Sequence, residues 1–573
     1  MRREEIPVIL VLLETFVALT SIVCGVGLAV GAIQFPLAWL QGTPFSDYTI
    51  LGLVMAVIVG GSSLLAVATI LTGREAGVLV SALAGLLLLG FEVVEVACID
   101  PNAGNWLLLI VALQTIYSLL GLTIFGLAAF LWMTKSHGTI PFQLLRHSSL
   151  AKRARQCIYY LAIGKEGYPF VFKQVEEGEQ LPHTSSPNIY VHIPFCRSIC
   201  THCPYNKIVF RNDSYVSYGK ALDRELKAYL AQKDIPPIET LYFGGGTPSM
   251  TPELIHQVIA LTQAKCAESV EIGVEVHPRD ATIEGLQQLK RYGVNRISLG
   301  IETFQDAFLR ILGRGYTGQQ AEQAIQNAKA VGFDCVDVNL IYGIPGQEIQ
   351  DSIDDVKRCI ALGVDHLSAY PLITFEHTYL GKLVRQGKFQ EYSERKRART
   401  QKEIARVCLA HGFKRTSVWS FTKDNASAYT TVTRESYIGF GAGAGSKVDG
   451  EFWFNTFSVA EYNKLIKPGP AIRLKTTEKF RRLHWLYWQV YNTRINSQKY
   501  EEIFHRNLMK DFGLLIVLMK LLGWIRKEGP VFTFTETGSR SVHRFQMLFS
   551  LTFIDEVWTQ CQREPWPKQI ILY

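Results

Sequence analysis

The chain has 573 residues, with 59 Lys and Arg against 51 Asp and Glu, and 48% of it is hydrophobic. That composition excludes a disordered chain, and 11 cysteines in this length, without collagen or heptad periodicity, exclude a small disulfide scaffold and a fibrous protein. The formal charge of +8 is unevenly placed: residues 1–134 carry three basic and eight acidic side chains, so the remainder is clearly basic.

Four apolar stretches fill residues 1–134, at 6–33, 48–72, 76–98 and 106–133. Each reaches the ~20 residues needed to cross a ~30 Å hydrocarbon core as a helix, so a four-span transmembrane bundle in a lipid bilayer is predicted. Arg2 and Arg3 precede the first span, Arg74 lies between the second and third, and Lys135, Arg146, Lys152, Arg153 and Arg155 follow the fourth. The loops at 34–47 and 99–105 have no Lys or Arg, although the latter carries Asp100. This alternation predicts an integral membrane protein with both termini and the catalytic region in the cytoplasm. Gly27 and Gly31 offer a small-residue face for helix packing. Glu92 and Glu95, three apart, share a face of the third span, either lining a polar site or sitting near the interface.

Residues 135–185 have mixed polarity and no strong period and are read as a connector. From residue 186 short β-rich runs alternate with amphipathic stretches. Strands are predicted at 189–194, 240–244, 270–277, 296–300, 335–342 and 366–372, with helices at 214–231, 252–266, 282–292, 317–332 and 349–362. Six such units imply an α/β fold, a partial (β/α)6 barrel over 186–450 with its chemistry at the strand C-termini. Residues 451–573 read as an α+β domain, winged-helix-like, with helices at 479–494, 500–512 and 514–522 and a strand at 531–535. No helix there presents an Arg, Asn or Gln face for reading bases, so no nucleic-acid partner is expected.

Eight of the cysteines are scattered, but Cys196, Cys200 and Cys203 form C-x3-C-x2-C directly after the first predicted strand. Three thiolates in so short a loop can bind three irons of a [4Fe–4S] cubane and leave the fourth open. Zinc remains an alternative, with His202 or His192 as a further ligand. Gly441, Gly443 and Gly445 lack the G-x-G-x-x-G spacing of a dinucleotide site.

The cysteine loop resembles the radical S-adenosylmethionine (SAM) signature. The words Tyr190-Val-His-Ile-Pro-Phe-Cys196, Tyr242-Phe-Gly-Gly-Gly-Thr-Pro-Ser249, Arg296-Ile-Ser-Leu-Gly300, Leu340-Ile-Tyr-Gly-Ile-Pro-Gly-Gln347 and Gly439-Phe-Gly-Ala-Gly-Ala-Gly-Ser446 narrow it. Together they resemble the oxygen-independent coproporphyrinogen III oxidase family, which includes oxidases, haem chaperones of similar sequence and methyltransferase-type relatives. The resemblance spans about residues 186–545 and does not reach the apolar spans.

The resemblance implies a radical SAM enzyme with a cluster on Cys196, Cys200 and Cys203 that cleaves SAM. It implies an electron donor such as flavodoxin or ferredoxin and a porphyrin, haem or other apolar substrate. Gly244, Gly245, Gly246 and Thr247 would meet the methionine moiety, where absent Cβ atoms permit close approach. Glu275 matches a SAM-contacting glutamate, and Tyr190 and His202 match further contacts to the first SAM. Glu302, standing for a glutamine, and Arg314 match positions that hold a second SAM in the oxidases. Asn339 stands where an aspartate is usual. Tyr205 replaces the extra cysteine of the oxidases, and Gly445 replaces a histidine, which places coproporphyrinogen decarboxylation in question. A haem chaperone without porphyrin turnover, and a methylase or cyclase acting on a lipid-like substrate, are the alternatives. His183, His192, His277, His366 and His377 are the histidines considered for haem; no catalytic acid or base is assigned.

Overall fold

The structure is a computed structural model that describes residues 6–40, 43, 45–71, 76–98, 107–133, 153, 156, 159–160, 162–175, 186–389, 392–423, 434–466 and 469–573. It divides into two units, Met1–Ile158 and Tyr159–Tyr573.

The first unit contains helices Ile6–Ala29, Thr49–Leu71, Gly77–Cys98 and Leu107–Met133, the second with a π-helical stretch at Val54–Gly60. All four are long and apolar enough to cross a membrane. Their apolar side chains point outward as well as inward: Leu108 is 85% exposed, while Leu10, Val17 and Leu88 are buried. Close helix approach falls at Gly25 against Gly52 and at Gly85 against Gly121, where a Cβ would meet the opposing backbone at 2.5 Å and 3.0 Å. Gly27 instead packs on Ile33, and Gly31 lies beyond the helix end at φ +73°, so the predicted Gly27–Gly31 face is not the contact. Glu92 is buried and Glu95 half-buried. Arg2, Arg3, Arg74, Asp100, Lys135, Arg146, Lys152 and Arg155 lie outside the described residues, as does His183.

The second unit is built on a nine-stranded sheet. Its centre is six parallel strands, labelled β1 (Asn188–Ile193), β2 (Ile238–Gly245), β3 (Cys266–Val276), β4 (Arg296–Glu302), β5 (Cys335–Tyr342) and β6 (His366–Pro371). The helices between them, Asn212–Leu230, Pro252–Thr262, Ile283–Arg291, Gly318–Val331 and Ile349–Ala361, fall close to their predicted bounds. Alternation along each strand decides what faces where. Ile189, Val191, Leu241, Phe243, Val274, Ile297, Leu299, Val336, Val338 and Leu367 form the core shared with these helices. The intervening residues are polar or small, so the opposite face is a polar chamber. Pairing register sets Glu275, Ser298, Asp337 and His366 side by side in one row, with Gly300, Asn339 and Ser368 in the next.

The sheet stays open. Ser420–Thr422 pairs antiparallel with β6, and Ile438–Phe440 pairs parallel with β1. A five-stranded sheet combines Gly445–Val448, Glu451–Phe454, Ile472–Lys475, Phe170–Gln174 and Gln569–Leu572. Its strand Phe170–Gln174 comes from the stretch read as a connector, and it pairs with the chain's last strand.

The C-terminal region has the winged-helix order: helix Glu478–Tyr491, strand Arg494–Asn496, helices Ser497–Phe504 and Leu508–Leu521, then the ribbon Ile525–Glu528 and Val531–Phe534. The helix predicted at 500–512 is two helices. His505 turns left-handed at φ +50°, and the Asn507 side chain accepts from the Met509 and Lys510 N–H groups to start the next. A final helix, Glu536–Arg563, was not foreseen in the sequence.

Candidate cofactor site at the barrel mouth

The cysteine loop leaves β1 through Pro194 and is stapled at its base. Pro194 O accepts from Ile208 N–H at 2.7 Å, and Cys196 O accepts from Phe210 N–H at 2.9 Å. Thr201 ties the loop's apex to neighbouring elements, donating N–H to Leu312 O (3.1 Å) and Oγ1–H to Ile311 O (2.8 Å) and accepting from Leu380 N–H (2.9 Å). Cys196 is buried and Cys200 and Cys203 are half-buried.

Two of the thiols have a polar neighbour, and a lysine binds the backbone carbonyl of the third cysteine. Thr247 Oγ1 lies 3.6 Å from Cys196 Sγ, Arg314 Nη1 lies 3.4 Å from Cys200 Sγ, and Lys207 Nζ donates to Cys203 O at 2.7 Å. Burial nevertheless pushes the Cys203 thiol up to about 12 and raises Cys196, against the pull of those cations. Such thiols ionise when a metal supplies the missing positive charge. Among the described residues no three His, Cys, Asp or Glu side chains converge on one ion site. In a cubane each thiolate meets a different iron, and three cysteines on one short loop supply that set. The donor set therefore fits a cluster. His202, on the same loop, has its Nδ1 buried without a partner, and burial with Arg314 nearby pushes the ring down to about 3, so it stays neutral.

Beside the loop, Gly244–Gly246 at the end of β2 form a cradle. A Cβ on Gly244 would sit 3.0 Å from Glu275 Oε1, one on Gly246 would sit 2.7 Å from the Pro194 carbonyl carbon, and Gly245 adopts φ +125°. Only glycine fits this run. Glu275 accepts from Tyr242 Oη–H at 2.9 Å and from Gly245 N–H at 3.2 Å. Burial pushes its carboxyl up to about 7. Tyr190 donates to His192 Nδ1 (2.9 Å), whose Nε2–H donates to Asn206 O (2.8 Å), so the Tyr190 hydroxyl is already committed.

On the opposite wall Arg314 is a hub. It donates to Gly300 O at 2.6 Å and Tyr316 Oη at 3.1 Å, and pairs with Glu302 at 3.4 Å. Glu302 sits at φ +62°, unusual for a long side chain, where the β4–β5 register shifts. Asn339 Nδ2 donates to Ser298 Oγ at 2.7 Å, Ser298 donates to Asp337 Oδ2, and Asp337 Oδ1 lies 2.5 Å from His366 Nδ1. This chain turns the Asn339 amide nitrogen toward Ser298 and leaves its carbonyl oxygen for other partners. The motifs single out neither Ser298 nor Asp337; their signal is a polar residue at every second position of an apolar run.

The site thus gathers three thiols, a glycine cradle, a neutral histidine and two carboxylates at the C-terminal edge of a parallel sheet. Residues 190–359 match the Radical SAM superfamily. The chain is 30% identical over 284 residues to the haem chaperone HemW of Bacillus subtilis, covering 48% of this chain and 75% of that protein. The chain belongs to this family. It is also 32% identical over 197 residues to the oxygen-independent coproporphyrinogen III oxidase of Bradyrhizobium diazoefficiens, covering 33% of this chain and 44% of that one. Coproporphyrinogen III oxidase (HemN) from Escherichia coli superposes with a TM-score of 0.56 at 22% identity, over 66% of this chain and 95% of that chain, which shows the shared fold. This radical SAM enzyme accordingly has a [4Fe–4S] cluster and SAM as its cofactors.

Proposed function

We propose that this chain is a membrane-anchored radical SAM protein that cleaves SAM reductively and acts on or carries a porphyrin or haem. The cysteine loop facing the glycine cradle and Glu275 carries the reading. When bound, the cluster and SAM supply one-electron reduction of a sulfonium, and a donor of flavodoxin or ferredoxin type supplies the electron. Cys196, Cys200 and Cys203 hold the irons. Gly244–Gly246 let the methionine backbone approach, Thr247 and His202 offer polar contacts, and Glu275 takes the amino group. Tyr190 fixes His192 and the cradle's base, and Asn339 offers its oxygen to a ribose. Glu302 and Arg314 form the wall of a second polar pocket.

Glu275 gives this assignment a pH signature. Its carboxyl, raised to about 7, is protonated below that value and a carboxylate above it. SAM affinity is expected to rise between pH 6 and pH 8. Glu275→Gln should remove that slope and, at pH 8, weaken binding by roughly ten- to a hundredfold, the loss of one charge-assisted hydrogen bond. A slope that survives the substitution removes Glu275 from the SAM site.

Two positions favour the chaperone branch over the oxidases. Tyr205 packs on Trp558 of the final helix with ring centroids 5.6 Å apart. At Gly445 a Cβ would lie 2.8 Å from the Phe454 ring, so a histidine there would have to displace that ring. Of the described histidines considered for haem, His192 and His377 have both ring nitrogens hydrogen-bonded and His366 is fully buried, while His277 accepts from Arg279 N–H at Nδ1, which favours His277 among these four, through Nε2. Anaerobic incubation with SAM, reductant and coproporphyrinogen, followed by mass spectrometry, is expected to yield 5′-deoxyadenosine and methionine with little protoporphyrinogen. Robust conversion would return the chain to the oxidases, and no SAM cleavage would refute the enzyme reading.

The four apolar helices are read as the anchor, with both termini cytoplasmic. Protease applied to the cytoplasmic face of sealed vesicles should release a soluble fragment bearing the cluster loop. Cleavage only from the outer face reverses the orientation.

A further inference from the structure

The three sulfurs of the cysteine loop differ in what they meet. Cys196 and Cys200 face side-chain donors, Thr247 Oγ1 at 3.6 Å and Arg314 Nη1 at 3.4 Å. Among the described residues no side chain donates to Cys203 Sγ, and Lys207 goes to the Cys203 carbonyl instead. The donor to this sulfur is backbone, the Tyr205 N–H. Pro204 stands between them and has no N–H, so Tyr205 supplies the first amide after Cys203 that can turn back on the sulfur.

The carbonyl of that same Pro204–Tyr205 peptide is held from outside the loop. Pro204 O accepts from His377 Nε2–H at 3.0 Å, and His377 Nδ1 lies 3.1 Å from Asp555 Oδ1 on the final helix. Carbonyl and carboxylate oxygens only accept, so both ring nitrogens donate, the arrangement of an imidazolium. Asp555 Oδ2 accepts from the Glu376 N–H at 3.2 Å, which holds Asp555 as the counter-ion. The Glu376 carboxylate turns away to Arg385 at 3.0 Å. The side chains of His377 and Asp555 are each 8% exposed, so water screens the pair little.

The surrounding contacts fix this histidine against the loop. Thr378, next in sequence, caps helix Tyr379–Arg385 by accepting from the Gly381 N–H at 3.0 Å, and Leu380 N–H donates to Thr201 O at 2.9 Å. The segment is therefore tied to the loop on both sides of Cys203. Trp558 of the final helix packs on Tyr205 at 5.6 Å and stacks on Phe375 at 6.0 Å, which keeps Asp555 in reach of the ring.

One hydrogen-bonded chain results, from the Asp555 carboxylate through the His377 ring, the Pro204 carbonyl and the Tyr205 N–H to the Cys203 sulfur. A donor on a peptide's carbonyl polarises the amide and makes its N–H a stronger donor. Hydrogen bonds to cluster sulfurs favour the extra negative charge of the reduced state and so raise the reduction potential.

We propose that Asp555 and His377 are positioning residues for Cys203, acting through the Pro204–Tyr205 peptide to strengthen the hydrogen bond on that sulfur and raise the reduction potential of the cluster. The assignment rests on Cys196, Cys200 and Cys203 being the cluster's ligands. It gives the final helix a part in how readily the cluster takes an electron.

The test is a potentiometric titration of the anaerobically purified, detergent-solubilised full chain, read by the EPR signal of the reduced cluster. His377→Leu removes both donors and should lower the reduced-to-oxidised ratio at a fixed potential at least threefold, a midpoint about 30 mV more negative at about 59 mV per decade. His377→Gln keeps one neutral donor for Pro204 O, and Asp555→Asn keeps the Nε2–H without its counter-ion, so each should lose only part of that. A tie that only holds the fold together would lower the melting temperature without ordering the midpoints in this way. A native midpoint in His377→Leu, or one as negative in His377→Gln as in His377→Leu, overturns the assignment and leaves the cluster standing. If His377→Leu assembles no cluster, His377→Gln and Asp555→Asn carry the comparison, and native midpoints in both overturn it. A native chain without a cubane signal overturns the cluster reading itself.

Discussion

Alanine at Cys196, Cys200 or Cys203 is expected to abolish the cluster's visible absorbance and its reduced-state EPR signal, while Cys266→Ala leaves both intact. Each thiolate would serve a different iron, so one loss leaves two adjacent ligands and an exposed cluster edge. The other described cysteines of this unit are held elsewhere in the fold. Cys335, Cys359, Cys408 and Cys561 are buried, and the Cys266 thiol is hydrogen-bonded to Thr262 O at 3.4 Å. The loop is stapled at Pro194–Ile208 and Cys196–Phe210, so a distant sulfur cannot be drawn in without breaking those bonds. A full cubane in any of the three variants would show that the loop is not its seat.

Arg314→Ala is expected to be the most damaging single change away from the cysteines. The guanidinium satisfies Gly300 O, Tyr316 Oη and the Cys200 sulfur, and it is the ion-pair partner of Glu302, whose side chain is 13% exposed. Removing it strands a nearly buried carboxylate, which costs about 3–5 kcal/mol. Arg314→Lys keeps the charge but not the planar fork, so it should recover only part of the loss. Thermal unfolding of the detergent-solubilised protein reads the stability, and the rate of cluster bleaching in air reads the effect on Cys200. An unchanged melting temperature in Arg314→Ala would mean that Glu302 holds a proton and needs no partner.

The barrel was legible because its signal is local. Apolar runs with a polar residue at every second place, spaced by helical stretches, specify strands that face helices on one side and a chamber on the other. The cysteine loop and the Gly244–Gly246 run are legible as short words, Glu275 and Arg314 only as positions that the family resemblance implies, and all of them lie at one mouth. The parts that were not legible depend on distant pairing. Phe170–Gln174 is a plain five-residue run whose partners, Ile472–Lys475 and Gln569–Leu572, lie some three to four hundred residues away. Likewise nothing near Tyr205 in the sequence announces Trp558. Ser298 and Asp337 sit inside strand words and read as strand residues until register sets them beside Glu275 and His366.

The central claim is that the Cys196–Cys203 loop holds a cluster whose open iron takes SAM. The most direct measurement is EPR of the anaerobically purified, reduced protein with and without SAM. The account predicts a [4Fe–4S] signal whose g-values shift when SAM is added, and the loss of that shift at low SAM in Glu275→Gln. A reduced cluster signal indifferent to saturating SAM would contradict it.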